Sequence, residues 1–200
     1  DRGEPGVIVG TTAVLSLAAP PDLALVALTF ADTFVTHPDF RSSERYHALL
    51  RTLLEWHPSR APLLLVQTYA GTHPALKAVL DGVDAAVYPL EELELRRSHH
   101  YPPFVQLAQV QLAARRSPDA ERAASTLTAL LRDRGATDAE LLGPAPAPIA
   151  RIKGLYAHNL LVRTETRERL MYLLEPARRF RDGARVRVDV NPRSLSDLLE

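Results

Sequence analysis

Apolar positions in the first hundred residues come in short unbroken runs separated by stretches of helical spacing. Val7 to Val9 and Leu23 to Phe30 are two such runs, bounded by Gly10, Pro20, Pro21 and Asp32. A run without polar alternation predicts a strand buried on both faces. Ser42 or Ser43 caps a predicted helix through Arg45, Leu49, Leu50, Leu53 and Leu54 to Trp56, stopped by Pro58. Pro62 to Tyr69 reads as a third strand, Pro74 to Leu80 as a short helix opened by Gly71 and Thr72, and Val83 to Arg97 as a helical stretch broken near Pro89. Strand alternating with helix is α/β grammar, and three strands are too few for a complete doubly wound domain. This half reads as the tail of one.

Pro102-Pro103 marks a boundary, because proline lacks a donor and restricts its predecessor. The predicted domains are residues 1–100 and 101–200. Beyond the boundary Phe104, Leu107, Val110 and Leu112 fit a strand, Pro118 to Arg134 a helix ended by Gly135, and Glu140 to Leu142 a short strand. Leu155 to Arg163 is a long strand, Thr166 caps a helix through Leu170, Leu173, Leu174 and Phe180, and Val186 to Val190 alternates as an edge strand. The order βαββαβ is the ferredoxin-like arrangement. Gly143-Pro-Ala-Pro-Ala-Pro148 falls between strands as a stiff extended loop.

Composition excludes several classes of function. No apolar run approaches the roughly 18 residues of a membrane span. There is no cysteine, so disulfides, thiolate metal sites and a cysteine nucleophile are all excluded within the chain. The chain opens at Asp1 without a leader pattern, which reads as a fragment with a missing N-terminal part. Charge is unevenly spread. Residues 1–100 hold 8 basic and 12 acidic side chains, residues 101–200 hold 16 and 12, and from Gly143 to Arg193 the count is 11 to 5. The last quarter is therefore the part suited to a polyanion.

Candidate chemistry is sparse. His37, His47, His57, His73, His99 and His100 follow no ligand spacing and read as surface or capping residues. No GxGxxG, Walker A or GxSxG occurs, so no phosphate-cradling loop or hydrolase elbow is encoded. Glu91, Glu92, Glu94, Arg96 and Arg97 read as a solvated helix face. Arg151, Lys153, Tyr156 and His158 lie on or just before a strand, where alternate residues share a face and offer cation and ring together to a nucleic acid. The alternative packs Tyr156 in the core and leaves the cations solvated. Arg167 and Arg169 open the last helix, where the macrodipole disfavours cations, which points to a local anion-binding site or to compensation by Glu165 and Glu168.

Pro38-Asp-Phe-Arg-Ser-Ser-Glu-Arg45, Tyr101-Pro-Pro-Phe104 and Gly143-Pro-Ala-Pro-Ala-Pro148, with Arg151 and Tyr156, resemble the C-terminal part of the primosomal protein N′ (PriA) replication-restart helicase family. The likeness runs from Val9-Gly10-Thr11 to Val188-Asp-Val-Asn-Pro192. It implies the remainder of a RecA-like helicase lobe with parallel strands, followed by an α+β, βαββαβ C-terminal domain. It also implies that the family's zinc-binding cysteines and P-loop lie upstream, leaving no cofactor in this segment.

The departures from the family pattern bear on activity. The family's Gly-Thr-Gln motif, which continues through Lys-Gly-His-Asp-Phe-Pro, stands here as Gly10-Thr-Thr-Ala-Val-Leu-Ser-Leu-Ala-Ala-Pro-Pro21. The arginine-finger motif falls on Thr52 to Ser59, with Trp56 and Ser59 in place of the arginines, and Arg60 one residue off. The family's Arg-Tyr-Arg-Trp-Gln run becomes Leu155-Tyr-Ala-His-Asn159, two cations fewer. These changes imply no catalytic residues and no nucleotide site in this lobe, since losing an arginine finger alone removes about 10³ to 10⁵ in turnover.

The resemblance thus implies a replication-restart protein that binds branched and single-stranded DNA at stalled forks and recruits partners for reloading the replicative helicase. The expected partners are the acidic C-terminal tail of single-stranded-DNA-binding protein, the replicative helicase and its loader proteins. Arg151, Lys153, Tyr156, Arg115 and Arg116 are the DNA candidates, and Arg167 with Met171 the candidates for the acidic tail. The expected state is a cytoplasmic, nucleoid-associated monomer with no membrane contact. An active ATP-dependent 3′–5′ helicase and a protein-docking module without DNA contact are the alternatives.

Overall fold

The computed structural model describes residues 6–20, 23–36, 39–56 and 63–195. Contacts divide the chain into two compact units, the first of Asp1–Thr36 and Ser42–Tyr88 and the second of His37–Arg41 and Pro89–Glu200. The fold class is mixed α/β, with a parallel two-stranded sheet in the first unit and an antiparallel four-stranded sheet in the second.

In the first unit, β1 (Leu25–Leu28) pairs in parallel with β2 (Leu63–Val66), and Val26 lies opposite Leu64. Helix α1 (Ser42–Glu55) places Tyr46, Leu50 and Leu53 on one face at i, i+4 and i+7. Tyr46 and Leu50 pack with Ala31, Leu76, Val79 and Tyr88 to form this unit's core. Helix α2 (Pro74–Leu80) starts where His73 accepts the Ala75 N–H at 3.2 Å through Nδ1, with Pro74 already at the helical φ. Asp32 ties the ends of β1 and β2 together. Its carboxylate accepts from the Thr68 hydroxyl at 2.9 Å and from the Tyr69 and Ala70 N–H groups at 3.1 Å. The Tyr69 N–H, with the Thr68 hydroxyl and the Ala70 N–H, holds this carboxyl below its usual range despite some desolvation.

Several expectations for this half need correction. Among the described residues Val7 to Val9 forms no strand, and it stands exposed. In β1 and β2 only Val26 is fully buried, while Leu25, Leu63 and Leu65 face outward. Among the described residues of this unit the helices pack against the face that carries Val26, Leu28 and Val66, so the strands alternate in burial despite their continuous apolar sequence. Helix α3 (Val87–Ser98) passes through Pro89 unbroken, because Pro89 sits in the first turn, where an N–H has no intrahelical acceptor. Glu92 and Arg96 in α3 form a largely buried pair at 3.2 Å instead of a solvated face. His47 is buried and stacks on Tyr88 at 4.4 Å instead of lying on the surface. Pro58, Arg60, His37 and His57 lie outside the described residues.

The second unit continues with β3 (Gln106–Ala114), α4 (Ser117–Asp133), β4 (Leu141–Ile152), β5 (Leu155–Thr164), α5 (Arg167–Arg179) and β6 (Arg185–Val190). The sheet order is β4-β5-β3-β6 with every neighbour antiparallel. This is the split βαβ pattern, in which each helix crosses over one intervening strand. Both helices cover one face. Ala123, Leu127 and Leu131 of α4 and Leu170, Leu173 and Leu174 of α5 meet Val110, Leu112, Leu160 and Val162 of the central strands. On the opposite face Gln109 donates to the Leu195 carbonyl at 2.9 Å, and Gln111 donates to Asn159 Oδ1 at 3.1 Å.

The segment Gly143 to Pro148 is not the loop its prolines predict; it belongs to the 12-residue strand β4. The reason is position, since β4 is an edge strand, where a missing N–H can face away from the sheet. The register shifts between Leu142 and Ala145. Gly143 sits at this irregularity with φ +103, and a Cβ there would come within 2.9 Å of the Asn159 carbonyl oxygen, so only glycine fits.

Candidate nucleic-acid interface

The antiparallel register gathers most of the predicted DNA residues at one end of the sheet. β3 ends at Ala114, which pairs with Tyr156 at the start of β5, and Tyr156 also pairs with Arg151 near the end of β4. Arg115 and Arg116 follow directly from Ala114 and are exposed, and Arg116 occupies the N-cap position of α4 without a side-chain cap. The Arg151 guanidinium lies over the Tyr156 ring, 5.3 Å from its centroid. Four cations and one ring therefore meet where β3 ends and the β4–β5 hairpin turns.

Lys153 lies just before β5, as expected, and with Gly154 forms the hairpin turn, with φ of 49 and 81, while Arg151 belongs to the preceding strand β4. Positive φ at both central residues is the I′ geometry that matches strand twist. Lys153 is exposed in this turn. His158 does not share an exposed face with Tyr156, for it is buried at 8% relative exposure. Tyr156 is half-buried. Its ring is thus neither core nor free, and one side of it supports Arg151.

A cleft of about 290 Å³ opens beside this end, lined by Glu121 and Ser125 of α4, Pro144 and Pro146 of β4, and Tyr156 and His158 of β5, with Ser117 at the helix start. Sequence reading missed it, although Ser117, Glu121 and Ser125 stand at i, i+4 and i+8, a polar stripe beside the apolar face of α4. The prolines that form its far wall become visible only once β4 is known to be a strand.

Arg167 and Met171 are elsewhere. They lie on the first turns of α5, which follows the other end of β5, and both are exposed. Tyr156 and Thr164 are separated by eight residues of strand, about 26 Å at 3.3 Å each. At this helix start Arg169 is compensated by Glu140, and not by the neighbouring Glu165 or Glu168. Arg169 donates to it through Nε at 2.9 Å and Nη2 at 3.0 Å, and Nη2 also reaches the Gly135 carbonyl. Glu140 accepts further from the Thr137 N–H at 2.9 Å. The Arg169 hydrogen bonds, helped by Thr137 and opposed by partial burial, bring the Glu140 carboxyl down to about 2. Thr166 caps α5 as predicted, accepting the Arg169 N–H at 3.2 Å.

Among the described residues no group of three or more His, Asp or Glu side chains is arranged to hold a metal ion, and no helix is long and apolar enough to cross a membrane. Comparison with known proteins finds relatives along almost the whole chain. The chain is 52% identical over 192 residues to the probable replication restart protein PriA of Deinococcus radiodurans, covering 96% of this chain and 21% of that protein. It is 31% identical over 202 residues to the replication restart protein PriA of Treponema pallidum, covering 95% and 30%, and 29% identical over 198 residues to that of Thermotoga maritima, covering 98% and 26%. The chain thus spans less than a third of the length of these relatives. Residues 97–193 match the model of the primosomal protein N C-terminal domain, and over these residues the chain is similar to that family.

Proposed function

We propose that this chain is the DNA- and partner-contacting C-terminal part of a replication-restart protein, acting on branched DNA at stalled forks and helping to recruit what reloads the replicative helicase. The observation that carries the reading is the convergence of Arg115, Arg116, Arg151, Lys153 and Tyr156 at one end of the sheet, within the family-matched residues. Cations answer the phosphates, and the Tyr156 ring answers a base, which is how proteins hold strands without reading sequence. The relatives' names supply the process.

The first unit serves this reading as the remainder of a RecA-like lobe without a motor of its own. Trp56, standing where the resemblance expects an arginine finger, donates its indole N–H to the Leu17 carbonyl at 3.2 Å and so acts as a tie within that unit. The zinc that the resemblance implies belongs to the family's upstream cysteines, and this chain has no cysteine. Arg167, with Met171 one turn on, offers an exposed guanidinium suited to the carboxylates of an acidic tail. That pair is the proposed dock for the tail of single-stranded-DNA-binding protein. The reading carries a cytoplasmic, nucleoid-associated location.

The test is fluorescence anisotropy of the chain with a labelled fork, the matched duplex and the single strand at two salt concentrations. Binding that favours the fork and weakens steeply with salt is the expected result. Equal, salt-independent association with all three, or ATP hydrolysis by the chain alone, contradicts it.

A further inference from the structure

The cleft beside Tyr156 has features that phosphate contact does not use. Its walls are the flat faces of Pro144 and Pro146 on one strand and the Tyr156 ring on the next. At about 290 Å³ it sits just below the roughly 300–1,000 Å³ range of small-molecule sites, room for one planar ring system. His158 lines it while more than nine-tenths buried, and its Nδ1, itself enclosed, has no hydrogen-bond partner among the described residues. Its cross-strand neighbour is Pro146, which has no N–H to give. Glu121 and Ser125 add an acceptor and a hydroxyl from α4. A carboxylate inside the cleft disfavours a phosphate there, whereas Arg115, Arg116 and Arg151 bring positive charge to the same end of the sheet.

We propose that this cleft takes one unstacked nucleobase of a single strand, favouring bases with an exocyclic amino group over thymine. The ring enters between the prolines and Tyr156, its amino group donates to Glu121, and Ser125 meets the remaining edge. The neighbouring phosphates run over Arg115, Arg116 and Arg151. A carboxylate accepts from the amino groups of cytosine, adenine or guanine, while thymine presents only one ring N–H between two carbonyls. The inference rests on the proposed DNA contact and goes beyond it, because a sequence-tolerant phosphate surface has no reason to distinguish bases.

The test compares single strands of about 12 nucleotides made of dC, of dT or of abasic sugar, which carry the same phosphates. The expected order is dC tighter than dT by about fivefold, and dT tighter than abasic by about fivefold or more. Glu121→Ala on the exposed side of α4 should bring dC down to dT and leave the salt slope unchanged. Ser125→Tyr, which fills the cleft from an exposed position, should bring all three strands close to the abasic affinity. Equal affinity of the wild-type chain for the three strands overturns the base site while leaving phosphate binding in place. Absence of binding to every strand overturns the DNA reading itself, and the base site with it.

Discussion

Both ends of the four-stranded sheet are rich in arginine, yet the guanidinium groups meet different neighbours. At the α5 end, Arg169 is held by Glu140 and the Gly135 carbonyl, and Arg163 donates to the Ala139 carbonyl at 2.8 Å and the His99 carbonyl at 3.0 Å. At the hairpin end, Arg115 and Arg116 are exposed and Arg151 rests on an aromatic ring. A cation whose donors are already taken by carboxylates and carbonyls contributes to the fold and offers little to a ligand. One whose neighbours are a ring and solvent keeps its donors for a phosphate. Arginine content alone does not separate the two ends; partners do.

The largest effect that would break this contrast concerns Arg169. Arg169→Ala should destabilise the chain by about 1–2 kcal/mol, the charge-assisted hydrogen bonds being discounted for partial exposure, and should leave the DNA salt slope untouched. Urea denaturation beside anisotropy measures both, and a lost salt slope would erase the distinction between the ends. The pH dependence of the same clamp sharpens it. The folded Glu140 carboxyl titrates near 2, below its ordinary range, so its stabilisation is complete above about pH 5 and is lost as pH falls toward 2. The stability gap between the wild-type chain and Glu140→Gln should therefore narrow from pH 5 downward, which urea midpoints at several pH values will show.

At the hairpin end, Tyr156→Leu keeps apolar bulk and removes the ring. Single-strand affinity should fall about fivefold, with stability changed by less than about 1 kcal/mol. A large stability loss with unchanged affinity would make Tyr156 a core residue after all. The smallest expected effect is that of Lys153→Asn. Asparagine suits the positive φ of the turn, so stability should rise by about 0.5 kcal/mol while the salt slope drops by roughly one phosphate contact.

How much of this was legible in the sequence depended on the range of the interaction. Helices α2, α4 and α5 were visible from apolar spacing and local caps such as Thr166, because those signals lie within a few residues. The βαββαβ order followed from strand and helix patterns in the same way. The alternating prolines of β4 read as a loop because their tolerance depends on an edge position that only the assembled sheet defines. Continuous apolar runs at Val7 to Val9 and in β2 overstated burial, since apolar residues need a covering layer that their own sequence does not encode. At the site, the cations and Tyr156 were nameable, but their meeting depends on Ala114 lying opposite Tyr156 across the sheet. The Arg169–Glu140 clamp and the cleft join residues 29 or more positions apart in the first case and three elements in the second, beyond any local pattern.

The most direct test removes the four cations of the hairpin end together. The chain with Arg115→Ala, Arg116→Ala, Arg151→Ala and Lys153→Ala should bind the labelled fork far more weakly, with the slope of log affinity against log salt reduced by roughly 3. A control with Arg132→Ala, Arg167→Ala, Arg178→Ala and Arg179→Ala loses the same charge from other exposed positions and should keep most of the slope. Equal losses in the two variants would mean that net charge, and not this end of the sheet, holds the DNA.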